Sequence, residues 1–182
     1  MTALRNPADE SAALPKHTAW HDLAARTFAV GRLVSARFQI RTLEEADKLS
    51  AMLASQYPTP ERVLTGIWEL LSNAVEHGNL EIEFGEKSRF IESCCYTQEI
   101  ARRMEFPRFA SRVVSVKFRR TTKSIRMRVC DQGPGFDFLR YVDAAQLPDG
   151  PNGRGILIAT KFSFDKVVYR GRGNVVDAVI RL

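Results

Sequence analysis

Hydrophobic and polar positions first settle into a two-residue rhythm over 34–42, where Phe38 and Ile40 alternate with Arg37, Gln39 and Arg41. Successive side chains of a strand point to opposite faces, so this rhythm predicts a half-buried strand. Thr42 follows with Glu45 three residues on, a reciprocal pairing that satisfies two free N–H groups at a helix start, and the predicted helix runs to about residue 56. Tyr57-Pro58-Thr59-Pro60 then breaks that helix and opens another. Thr59 suits an N-cap, Pro60 the first helical position and Glu61 the positive end of the helix dipole. The second helix, 60–77, carries Leu64, Ile67, Leu71, Ala74 and Val75 on one apolar face, and Gly78 suits its C-cap. Residues 79–107 are charged and read as helical over 88–104, with no chemistry of their own.

Alternation returns at Val114, Val116 and Phe118, then, after a turn at Thr121-Thr122-Lys123, at Ile125, Met127 and Val129. Residues 131–153 are irregular and rich in Gly, Pro and Asp; a short helix is predicted over 154–162. The chain closes with a hairpin, 164–170 and 175–182, whose Gly171-Arg172-Gly173-Asn174 reads only as its turn. This order predicts an α/β (α+β) two-layer sandwich, with helices on one face of a mixed, mostly antiparallel sheet. The expected division is an N-terminal extension over 1–30 and one domain over 31–182.

Composition adds limits. At 182 residues the chain is long enough to bury a core without disulfide or metal staples. Its three Cys, two of them adjacent (Cys94, Cys95), form no disulfide framework and, with Cys130, read as small buried apolar residues in a reducing cytoplasm. No stretch reaches the length of a membrane span, and the first residues form no secretory signal. His17 and His21 lie four apart without further ligands nearby and read as solvated side chains. Twenty-seven Lys and Arg against 21 Asp and Glu leave a formal +6. The cations are scattered along the chain, without a run of five or an aromatic-interleaved stripe, which argues against a nucleic-acid partner.

Three constellations carry candidate chemistry. On the second helix Glu69, Asn73 and His77, spaced by four, form one stripe. Alone, this stripe reads first as a solvated polar face. Alternatively, Glu69 accepts a proton while the Asn73 oxygen helps hold Mg²⁺, which prefers oxygen ligands and keeps several waters. Next, Asp131 continues the apolar face of Ile125, Met127 and Val129, and a carboxylate there needs a partner. An adenine amine is a fitting donor, and Gly133 and Gly135 let backbone approach a flat ring; a polar turn after a strand is the plainer reading. Finally, Gly153-Arg154-Gly155 opens a helix with free N–H groups suited to phosphate, although a Gly-x-Gly alone is weak.

Taken together, Glu69…Asn73…His77, Asp131-Gln132-Gly133-Pro134-Gly135 and Gly153-Arg154-Gly155 resemble the N-box and two glycine boxes of the GHKL superfamily. These are the Bergerat-fold ATPases that include histidine-kinase ATP domains and gyrase. Within it, the His77-Gly78 ending and the short span between glycine boxes look most like anti-sigma-factor serine/threonine kinases of bacterial partner-switching systems. The resemblance implies a Bergerat ATP-binding fold with ATP and Mg²⁺ as cofactors and a lid over about 136–152. Asp131 would bind the adenine amine and Asn73 the Mg²⁺. His77, Gly133 and Gly135 would line the nucleotide, and Gly153, Arg154 and Gly155 would face its phosphates. Glu69 would be general base toward a hydroxyl of an anti-anti-sigma (STAS-domain) partner, with a sigma factor as a second binding partner and a homodimer left open. The alternative is a non-catalytic ATP-binding module whose lid controls protein binding. The unusually long 81–107 segment departs from the pattern.

Overall fold

The computed structural model describes residues 31–138 and 154–182. The N-terminal extension, with His17 and His21, and the greater part of the expected lid, with Gly153, lie outside the described residues. Strand β1 (Ser35–Ile40) leads into helices α1 (Leu43–Ala54) and α2 (Pro60–Asn73). Two further helices, α3 (Phe84–Glu92) and α4 (Tyr96–Glu105), and a single turn, α5 (Pro107–Ala110), precede the strand pair β2 (Val114–Arg120) and β3 (Ser124–Cys130). Helix α6 (Arg154–Leu157) widens into π-type turns over Ile158–Ser163, and β4 (Lys166–Arg170) and β5 (Val175–Arg181) close the chain.

The strands form one sheet in the order β1-β2-β3-β5-β4. Every neighbouring pair is antiparallel, so the mixed element of the expectation is not seen among the described strands. Alternation fixes which side faces inward: Val114, Val116, Phe118, Ile125, Met127 and Val129 are buried, as are Val176, Ala178 and Ile180 of β5. Against this face pack Ala46, Leu49 and Leu53 of α1 and Val63, Ile67, Leu70 and Leu71 of α2, making one continuous core. This is the two-layer α+β sandwich of the sequence reading.

Local signals mostly acted as written. Thr42 caps α1, accepting from the Glu45 N–H at 3.0 Å while its own N–H donates to Glu45 Oε2 at 3.0 Å. Thr59 makes no such side-chain bond: its ψ of 81°, against 158° at Thr42, leaves only its carbonyl to accept the Arg62 N–H. Two boundaries are corrected. Helix α2 does not stop at Gly78 but widens into π-type turns over Ala74–Asn79, a distortion that frequently marks functional sites. The single helix expected over 88–104 is two helices, broken where Cys94 adopts a φ of 53°. At that break Cys94 is exposed and Cys95 half-buried, and Cys130 at the end of β3 is half-buried too, so none is the buried apolar residue expected.

Helix α2 runs close to the α6 extension at Gly66. A Cβ there would stand 2.3 Å from the Ser163 Cβ and 3.1 Å from the Phe164 ring. Helix propensity favours Gly66→Ala by about 1 kcal/mol, whereas overpacking a rigid contact costs about 1–3 kcal/mol. The second effect is expected to win, so Gly66→Ala lowers stability in equilibrium denaturant unfolding. A more stable variant would mean that the two helices separate freely.

Candidate nucleotide site

The widened end of α2 and the turn after β3 meet through three small contacts. A Cβ on Gly133 would lie 2.2 Å from the Gly78 carbonyl oxygen, and one on Gly78 would lie 2.4 Å from the Asp131 Cγ. Gly133 meets the Gly78 backbone and Gly78 meets the Asp131 side chain, so neither position has room for a Cβ. Asn79, 2% exposed, accepts the Gln132 N–H at 2.8 Å through its side-chain oxygen, fastening the turn to the helix end. Asp131 accepts the Gly133 N–H at 2.8 Å. Burial pushes its carboxyl up from 3.8 to about 6, partly offset by that N–H and by Arg112 and Arg172.

Above this junction opens a cavity of about 440 Å³, in the range of small-molecule sites. Asn73, His77, Asp131 and Gly135 line it, so two members of the helix stripe meet the first glycine-rich turn at one cavity, whereas Gly133 is not among the lining residues and packs on Gly78. Ala74, Val129, Ile156 and Val176 give it apolar walls on which a flat ring can lie. The Asn73 amide bonds to no described residue and is left for a ligand. His77 is engaged differently: its Nδ1–H donates to the Ile82 carbonyl and its ring stacks on Phe84 at 4.2 Å. Burial holds the imidazole below its ordinary pKa, so it is a neutral ring that pins residues 82–84 to the cavity's rim.

Glu69 is not on the cavity wall. Its carboxylate lies against Gly155, where a Cβ would come within 2.0 Å of Oε2, so the N-box helix and the second glycine box touch through it. Burial raises its proton affinity and Glu76 adds to the rise, while Lys87 opposes it. Arg154 begins α6, but its side chain lies outside the described residues. Only the start of the expected lid is described: Phe136 and Phe138 meet Tyr169 at 5.4 and 5.6 Å.

Sequence reasoning missed two features. One is the hairpin turn, whose Gly173 and Asn174 line the cavity as well as joining β4 to β5. Gly135 and Gly173 both take positive φ, 83° and 97°, and a Cβ on Gly173 would lie 2.3 Å from the Phe136 carbonyl oxygen. The other is Glu76, 2% exposed, which accepts from the Tyr96 hydroxyl and, at 2.5 Å, from the Lys87 ammonium. Its signal was present, since Glu76 lies seven residues after Glu69 and hence on the same side of α2. Through these bonds, and through Arg103 donating to the Leu80 and Glu81 carbonyls at 3.0 and 2.7 Å, the charged 81–107 segment is clamped onto the N-box.

The residues fit a nucleotide. Asp131 offers a carboxylate acceptor between apolar walls, and Asn73 offers one free amide oxygen beside it. Among the described residues no three His, Cys, Asp or Glu side chains gather into a metal cage. A single amide oxygen suits an ion such as Mg²⁺, which takes its other ligands from phosphate and water.

An antiparallel sheet backed by helices, with this cavity between helix end and glycine turn, defines a nucleotide-binding α+β domain of the GHKL ATPase fold. The family model of the histidine kinase-like ATPase domain matches residues 30–180, and the chain belongs to that family. No curated protein matches the chain. Family membership makes it an ATP-binding, kinase-like or regulatory domain, with ATP-dependent phosphotransfer or ATP hydrolysis as its class of activity. No described helix is long and apolar enough to cross a membrane.

The raised carboxyl of Asp131 has a signed consequence. The native state holds a proton that the unfolded chain has released between pH 3.8 and about 6, so ionisation above that window costs stability. Asp131→Asn is therefore expected to stabilise the ligand-free protein at pH 7, with the gain shrinking as pH falls from about 6 to about 4. Thermal unfolding of both proteins across this range checks it; a pH-independent difference would place the carboxylate in water.

Proposed function

We propose that this chain is an ATP-dependent serine/threonine protein kinase and anti-sigma-type regulator that phosphorylates an anti-anti-sigma (STAS-domain) partner and changes partners with phosphorylation state. The observation that carries the reading is that the half-buried Asp131 carboxylate and the free Asn73 amide line one largely apolar cavity. Asp131, held by the Gly133 N–H, accepts from the adenine amine. Asn73 supplies the protein's oxygen to Mg²⁺, and His77 keeps the rim of the cavity closed over the base. Bound MgATP supplies the transferable phosphoryl group and neutralises its charge. In this reading Gly153, Arg154 and Gly155 are the residues that bind the phosphates. Glu69 takes the proton of the attacking serine or threonine hydroxyl as its oxygen bonds to phosphorus and ADP departs. A carboxyl whose pKa is raised by burial is a better base near neutral pH, and such help is typically worth about 10²–10⁴ in rate.

One observation favours the second reading, a non-catalytic module in which ATP controls protein binding. Glu69 packs on Gly155 rather than on the cavity wall, so reaching a substrate hydroxyl requires that contact to open.

Calorimetric titration with ATP, with and without Mg²⁺, tests the site. Asp131→Asn is expected to weaken binding more than about tenfold, the loss of a hydrogen bond to a charged group. Asn73→Ala should remove its Mg²⁺ dependence. No binding by the wild-type chain at millimolar ATP would reject the nucleotide reading. Phosphate transfer to a purified STAS-domain protein, lost in Glu69→Gln with ATP affinity retained, separates the kinase from the module.

A further inference from the structure

The outer face of the sheet, opposite the helices, collects charge that the sequence disperses. Strand register aligns its side chains in three rows across the five strands. The first reads Ser35, Arg119, Arg126, Val179, Lys166; the second Arg37, Lys117, Arg128, Asp177, Val168; the third Gln39, Ser115, Cys130, Val175, Arg170. Seven of these fifteen residues are cations and one is an acid, a surplus equal to the formal +6 of the whole chain. Elsewhere, therefore, the molecule is neutral in sum. Its single acid is already taken: Asp177, 4% exposed, accepts two bonds from Arg128 at 2.7 and 2.9 Å and one from Arg170 at 2.8 Å.

Among the described residues the remaining cations of the face have no such relief. Arg119 stands directly across from Arg126, and Lys117 stands between Arg37 and Arg128. Like charges directly opposite on a sheet destabilise it, so folding does not explain this arrangement. Arg37, Lys117, Arg119 and Arg126 are all exposed. The segments outside the described residues could offset little of this: residues 1–30 carry Asp9, Glu10 and Asp22 against Arg5, Lys16 and Arg26, and residues 139–153 carry Asp143 and Asp149 against Arg140, a single acid in excess.

We propose that this face is a docking surface for an acidic protein segment, one presenting Asp and Glu side chains around a small apolar patch. Three β-branched valines, Val168, Val175 and Val179, lie half-buried on the β4–β5 side of the face, beside the cations of β1–β3. A protein surface can cover both regions at once. Nucleic acid has no use for the valines, and the fifteen positions include no aromatic side chain on which a base would stack. The face spans about 20 Å across five strands, so it suits a weak, salt-sensitive, transient contact rather than an obligate one. The cavity lies on the opposite side of the sheet, among inward residues such as Val129 and Val176, so docking and nucleotide binding occupy separate surfaces.

The test uses the full chain and two labelled probes in fluorescence anisotropy: a 20-residue peptide of Glu, Asp and Val, and a 20-base-pair DNA duplex of mixed sequence. The peptide is expected to bind, and to weaken steeply between about 50 and about 300 mM salt as screening shortens the reach of charge. Arg126→Glu should weaken it about tenfold while leaving ATP titration unchanged. Because the variant converts a repulsive cross-strand pair into an attractive one, its melting temperature should equal or exceed the wild type. Lys48→Glu, an equal charge change at an exposed position of α1, should leave peptide binding near wild type. Equal losses in both variants, or no peptide binding at low salt, would overturn the proposal. So would a duplex that binds more tightly than the peptide, which would make this a phosphate-reading face. An unaltered ATP titration throughout keeps this outcome separate from that of the kinase reading.

Discussion

The approach of Gly78 to Gly133 is the constraint on which the site depends. Backbone lies against backbone at a distance that excludes any Cβ, and Asp131 is wedged beside it. Such closeness brings the end of a helix onto the exit of a central strand, and the helix adapts by widening over Ala74–Asn79. Widening in turn sets the direction of His77, whose Nδ1–H reaches the Ile82 carbonyl, and of Asn79, which receives the Gln132 N–H. The cavity is the space this junction leaves open. Its depth also explains the raised proton affinity of Asp131, since a carboxylate taken from water with one N–H donor is only partly compensated.

The long charged segment after the N-box acquires a role from its contacts. Glu76 would be an unpaired charge in the core without it, a situation that costs several kcal/mol. Tyr96 and Lys87 come from α4 and α3 to satisfy that charge, and Arg103 ties the pair of helices back to the chain leaving α2. Lys87 also opposes the rise in Glu69's proton affinity. The segment therefore bears on the electrostatics of the N-box from behind, without lining the nucleotide cavity beyond its first residues, Glu81 to Phe84.

Much of the fold was legible because short-range rules decide it. Alternation in Arg37–Arg41, Val114–Phe118 and Ile125–Val129 marks strands whose inner residues are buried, and Thr42 with Glu45 starts a helix by chemistry local to four residues. The site was legible as types of residue at fixed spacings: Asn73 and His77 one turn apart, and Asp131 two residues beyond Val129 on one strand face. What failed were boundaries and environments. Gly78 suits a C-cap by composition, yet the contact with Asp131 decided its use. Cys94 and Cys95 resembled buried residues, yet a break between helices leaves Cys94 exposed and Cys95 half-buried.

By itself the sequence determined the elements, the apolar sides they bury and the candidate residues, because propensity, capping and periodicity act within a few positions. Only tertiary structure decided what stands next to what. It carried Gly173 from a hairpin turn to the wall of the cavity, set Glu69 against Gly155, and gave Glu76 its partners across the helical insertion. It also aligned cations that lie far apart along the chain into rows on one sheet face, through a pairing register that couples residues as distant as Ser35 and Arg119 and sets Arg37 against Lys117 and Arg119 against Arg126. Charge is a property of residues, but a field is a property of their arrangement, and long-range pairing alone fixes that.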